Sequence, residues 1–134
     1  MISLEEIRST IFTAFKTIHE ASSYASVPVN WPNFATVDYE NMPAAVVAVE
    51  INFARQVAGY DTTGDEIMIS GELLVSYLRK SGTGLTGAAG YTDVLNAGFA
   101  FKRLSGIYYG AARVLSVSPY PGVVGVMNVI GFRV

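Results

Sequence analysis

The sequence predicts an α+β fold: a mainly antiparallel sheet of two hairpins with two helices packed on it, in the order α-β-β-α-β-β. Three observations predict it. Apolar residues recur at helical spacing over about residues 4–21 and 90–104. Two pairs of long strand-like runs, 44–58 with 66–79 and 107–118 with 123–134, each flank a turn-rich segment. No linker composition and no internal repeat divides the 134 residues, so the chain reads as a single domain, 1–134.

The elements follow in order. Ser3 and Glu6 form a capping box, and Leu4, Ile7, Ile11, Ala14, Phe15 and Ile18 make an apolar stripe behind it. Ser22 and Ser23 weaken that helix. An extended arm at about 22–43 comes next, because Pro28, Pro32 and Pro43 each push the preceding residue out of helical geometry. The run 44–58 is rich in Val and Ile, and Gly59 to Gly64 supplies turn chemistry. In 66–79, Ile67, Ile69, Leu73, Val75 and Tyr77 alternate with Met68, Ser70, Glu72 and Ser76, and Gly71 marks a bulge or a close backbone approach. A glycine-rich loop spans 80–90. The second helix then presents Val94, Leu95, Gly98, Phe101 and Leu104 as its apolar stripe, and Ser105-Gly106 stops it. Pro119-Tyr120-Pro121-Gly122 turns the last two strands.

Composition narrows the function. Hydrophobic residues make up 51% and charged residues 15% of the chain, against about 25% charged in an ordinary domain. Few charges are left to cover the surface, which points to association with other subunits. Cysteine is absent, which removes disulfides and thiolate chemistry together. Neither a signal peptide nor an apolar run near the length of a membrane span is visible, so a soluble protein without membrane partners is expected. The net charge of −2 is unevenly placed. Residues 1–93 hold eleven acids and five bases, whereas 94–134 hold Lys102, Arg103, Arg113 and Arg133 and no acid. An acidic face on one subunit meeting a basic face on the next would favour head-to-tail closure.

Chemistry is sparse. Gly82-Thr83-Gly84-Leu85-Thr86-Gly87 matches the dinucleotide fingerprint formally, but the strand before it belongs to a hairpin and no acid follows Asp93. No cofactor is expected. His19 is the only histidine, suited to capping or to the surface near a helix C-terminus. Asp61, Asp65 and Glu66 lack calcium-loop spacing, so no metal site is expected. The tyrosines Tyr60, Tyr77, Tyr91, Tyr108, Tyr109 and Tyr120 have no basic stripe beside them and read as packing residues. No catalytic residue stands out, and the chain is not expected to be an enzyme.

The chain resembles the tail terminator proteins of long-tailed phages. The likeness rests on the first helix, the arm with Val29-Asn30-Trp31-Pro32-Asn33, a strand and turn with Gln56 and Gly59, then Gly71-Glu72-Leu73-Leu74-Val75, the loop Gly82-Thr83-Gly84, and Tyr91-Thr92-Asp93-Val94-Leu95. It extends over nearly the whole length, although Thr92-Asp93 stands where the family often carries Ala-Asp. The resemblance implies a hexameric ring that caps the tail tube, stops its polymerisation and offers a surface for head joining. It implies a virion tail location, with assembly in the host cytoplasm, and three partners: further copies of the chain, the tail-tube protein and a head-completion protein. DNA would pass through the ring without specific binding. Trp31 and Phe34 on the arm, Tyr60 and Asp61 at the hairpin tip, and Leu85 in the glycine loop are the expected contact residues. A head–tail joining or tail-tube subunit, and a small ligand-binding domain, are the alternatives.

Overall fold

The computed structural model describes residues 3–32, 39–58, 67–80 and 87–134. Helix α1 (Leu4–Glu20) opens on the capping box: Glu6 N–H donates to the Ser3 hydroxyl and Ser3 N–H to the Glu6 carboxylate, both at 3.1 Å. It buries Ile7, Ile11, Phe15 and His19 along one face. The remaining elements are β1 (Val29–Asn30), β2 (Ala45–Ala58), β3 (Ile67–Lys80), α2 (Ala88–Phe99), β4 (Arg103–Leu104), β5 (Ile107–Tyr120) and β6 (Val123–Arg133).

These strands form one six-stranded mixed sheet in the order β1-β2-β3-β6-β5-β4. That overturns the expected α+β arrangement of two antiparallel hairpins in the order α-β-β-α-β-β. β1 lies parallel to β2, with Val29 opposite Val47, and β4 pairs with the start of β5. Both extra strands are two residues long, too short for any hydrophobic period to announce them. Prolines around β1 also argue against a strand, yet only the N–H of a strand residue is lost to proline. Here the carbonyl of Pro28 accepts from Val47 N–H at 2.9 Å. The second helix also ends earlier than its apolar stripe suggests. Phe101 adopts φ 58, outside helical geometry, and is 72% exposed rather than part of a buried stripe.

Both helices cover the same face of the sheet. Val47, Val49, Leu73, Val75, Tyr77, Tyr109, Ile130 and Phe132 pack there against Ile7, Ile11 and Phe15 of α1 and Tyr91, Leu95 and Phe99 of α2. The opposite face carries a smaller cluster at one end: Val46, Leu78 and Val123 under Met42, flanked by Tyr39, Val117 and Tyr120. The chain therefore passes from the helix side at Trp31 to the far side at Tyr39, where the ring stacks on Tyr120 at 5.3 Å.

Buried polar side chains tie the layers together. His19 Nε2–H donates to the Val27 carbonyl at 3.0 Å, and Nδ1 accepts from the Tyr91 hydroxyl at 2.8 Å. The lone histidine is thus an internal strut between α1, the arm and α2, not a surface cap. Asn128, fully buried, accepts from Thr92 at 2.5 Å and donates to the Val75 carbonyl at 3.2 Å. Gly71 meets both expectations of the sequence. The β2 register shifts between Asn52 and Arg55 beside it. A Cβ at Gly71 would press on the Asn52 carbonyl and come within 2.8 Å of the Phe132 ring.

Two outcomes follow from this packing. Gly71→Ala should lower the unfolding free energy by about 1–3 kcal/mol in denaturant titration, because its neighbours on one side are backbone. Burial also raises the Tyr109 phenol from the usual 10.0 to about 12, and holds Tyr91, next to Tyr77, above the usual range. Folded tyrosine therefore keeps a proton that the unfolded chain releases. Stability should be intact below about pH 10 and fall as pH rises from there through about 12. A spectrophotometric titration should show late-ionising phenols whose ionisation coincides with unfolding.

Candidate interaction surface

Exposed large hydrophobics concentrate at one edge of the sheet. Among the described residues, Phe101 (72% exposed), Val114 (50%), Leu115 (45%) and Tyr108 (36%) all lie between the end of α2 and the middle of β5. Lys102, Arg103 and Arg113 stand among them, and no acid occurs after Asp93. An exposed apolar patch beside basic side chains is a candidate association surface.

Local structure explains how the patch is built. α2 stops at Phe99, with Ala100 N–H still donating to the Asn96 carbonyl at 2.9 Å. The Lys102 ammonium donates to the Ala97 carbonyl at 2.5 Å, satisfying the helix end with a cation where the dipole favours one. Between these two residues Phe101 sits in the left-handed region, costly for a side chain with a Cβ. Its ring gains no burial in return. An exposed aromatic held in unfavourable geometry is a functional candidate.

β5 itself is a long edge strand. β4 covers only Ile107 and Tyr108, and Tyr109 N–H donates to the Lys102 carbonyl at 2.9 Å. The register with β6 then slips between Tyr109 and Ala112. Beyond that bulge Ala112 N–H, pointing away from β6, donates to Asn96 Oδ1 at 2.8 Å. Backbone alternation aims the N–H and C=O of Val114 and Ser116 outward too, and no partner meets them among the described residues. On the helix-free face Arg113 reaches Glu72 at 3.6 Å across β6, where Gly131 interposes no side chain. Both partners are substantially exposed, so the pair contributes little to stability.

The residues expected from the sequence fare differently. Trp31 is half-buried and meets Phe12 and Phe15 edge-on at 5.5 and 5.7 Å, so it covers its own core. Phe34, Tyr60, Asp61 and Leu85 lie outside the described residues, as do Asp65, Glu66 and the glycines 82 and 84. The edge at Phe101, Val114 and Leu115 was not anticipated. Two signals pointed there: the acid-free stretch after Asp93, and the adjacent Val114-Leu115, which breaks strand alternation.

A cleft of about 620 Å³ between α1 and the end of α2 is lined by Thr10, Thr13, Thr17, Gly98, Lys102 and Ser105. The Thr10 and Thr17 hydroxyls already donate to the carbonyls of Glu6 and Thr13. No metal-binding cluster of His, Asp or Glu occurs among the described residues, and none of their helices is long and apolar enough to cross a membrane.

No family model and no curated relative matches the sequence. One solved structure, whose name states no function, aligns over 99% of this chain and 96% of its own at 18% identity, with a TM-score of 0.67. At that identity the likeness shows the fold alone.

If the Phe101 conformation is held for association, Phe101→Gly should leave stability unchanged or raise it by up to about 1 kcal/mol, since glycine removes the left-handed penalty. The same variant should weaken self-association, read as a concentration shift in sedimentation. A loss of stability would mean that the ring packs in a way its exposure hides.

Proposed function

We propose that this protein is a structural subunit that associates with copies of itself, head to tail, into a closed ring. The observation that carries the reading is the apolar, basic edge at β4–β5 on a chain whose acids lie in its first 93 residues. An uncovered apolar edge on one end of a sheet suits a heterologous contact with a different surface of the next copy, and such a contact closes when its rotation divides a circle.

The resemblance to phage tail terminators supplies the role of that ring. In this reading it is a hexamer that caps the tail tube, ends tube growth and receives the head-completion protein, with DNA passing through unread. Its place would be the virion tail, assembled in the host cytoplasm. Catalysis has no part in it.

Light scattering over a range of concentration and salt tests the reading. One copy weighs 14.4 kDa, so six weigh 86.4 kDa. A species that stops at that mass, and loosens as salt screens the charged contact, is the expected result. Open-ended growth would favour the tube-subunit alternative, and a monomer at every concentration would remove the self-assembly reading.

A further inference from the structure

We propose that subunits join by strand addition: the free edge of β5, at Val114 and Ser116, pairs antiparallel with the outer edge of β2 in a second copy, beyond β1 at Ile51 and Phe53. This rests on the self-association reading and names the surfaces that carry it.

Four observations agree. First, the two edges are the two ends of the sheet, so joining them is head-to-tail. Second, strand direction is compatible. β2 and β5 run opposite ways, because the intervening pairs β2·β3, β3·β6 and β6·β5 are all antiparallel. A copy added in the same orientation therefore continues the antiparallel alternation.

Third, the faces match. In β5 the outward-bonding residues follow Ala112, so Val114 and Ser116 turn their backbone groups out, with side chains on the helix side. In β2 the outward-bonding residues follow Val47, whose N–H meets Pro28, so Ile51 turns its backbone groups out beyond β1, and both Ile51 and Phe53, at the register shift, carry side chains on the helix side. Pairing them joins helix face to helix face, and would bring the exposed Val114 beside aliphatic and aromatic neighbours. A strand of the wrong parity would place these side chains on opposite faces.

Fourth, the edge of β5 lacks the usual guards. Arg113 is the only charge between Ile107 and Tyr120, and the first proline is Pro119, near the strand's end.

Val114→Pro tests this directly. The N–H it removes points away from β6, so the β5·β6 ladder keeps its bonds while an incoming strand loses a donor and meets the ring. A second variant, Val114→Lys with Ser116→Lys, blocks the edge without altering the backbone, in case proline unfolds the chain. Each is compared with wild type by light scattering and by thermal melting followed by circular dichroism. Leu4→Lys, an exposed apolar residue at the far end of α1, serves as the surface control. The expected result is a folded protein whose closed species disappears, or needs at least tenfold more protein to form, in both edge variants and not in the control. Folded edge variants that still close at 86.4 kDa would overturn strand addition and leave the ring reading intact. A wild type that stays monomeric would overturn both.

Discussion

The long antiparallel ladder between β3 and β6 is the constraint on which the remaining structure depends. It runs from Ser70 opposite Arg133 to Lys80 opposite Val123 and joins segments about half the chain apart. Without it the protein would be two separate hairpins, each with one apolar face and nothing to cover it. With it, Leu73, Val75 and Tyr77 line up beside Ile130, Asn128 and Val126 to make a platform wide enough for two helices. Asn128 is the polar clamp at the centre of that platform. Its amide bonds β3 on one side and α2 on the other, so a one-residue slip would strand a buried amide as well as turn the core outward.

The same ladder makes the sheet one-sided. The helix face is filled by α1, α2 and Trp31; His19 and Tyr91 bond each other there, and the Tyr24 hydroxyl donates to the Gly87 carbonyl at 2.9 Å, whereas the buried Tyr109 hydroxyl has no hydrogen-bond partner among the described residues. On the other face, the segment around Tyr39 and Met42 protects only the end near Leu78 and Val123. Apolar area is left over at β5, where the helix layer has ended and the helix-free face is open. Phe101, Tyr108, Val114 and Leu115 gather at this edge, and Phe101 stays exposed there despite its backbone cost.

Much of the fold was readable along the chain, and the exceptions share a cause. α1 was readable to within a residue, because the capping box and the 3.6-residue stripe are local signals. The long strands β2, β3, β5 and β6 were readable from their composition and turns. The sheet order was not, since alternation shows which residues share a face but not which strand lies beside which. β1 and β4 were not readable either, because two residues carry no period and owe their strand geometry to a neighbour's hydrogen bonds. The end of α2 was misplaced for a related reason: Phe101 and Leu104 continue the helical spacing, while the chain leaves the helix so that β4 can meet β5. Of the expected contact residues, Trp31 turned inward. Its size and apolarity suited a partner and its own core equally, and proximity to Phe12 and Phe15 decided for the core.

By itself the sequence determined the capped first helix, the two long strand pairs, the need for glycine at position 71, and a charge balance that turns basic after Asp93. These depend on neighbours in the chain or on simple totals. Only the tertiary structure decided that the hairpins fuse through β3 and β6, that His19 is an internal strut, and that Phe101, Val114 and Leu115 share one uncovered edge. Each of these depends on residues far apart in sequence whose proximity is set by the whole core, and burial is a property of that core rather than of any segment within it.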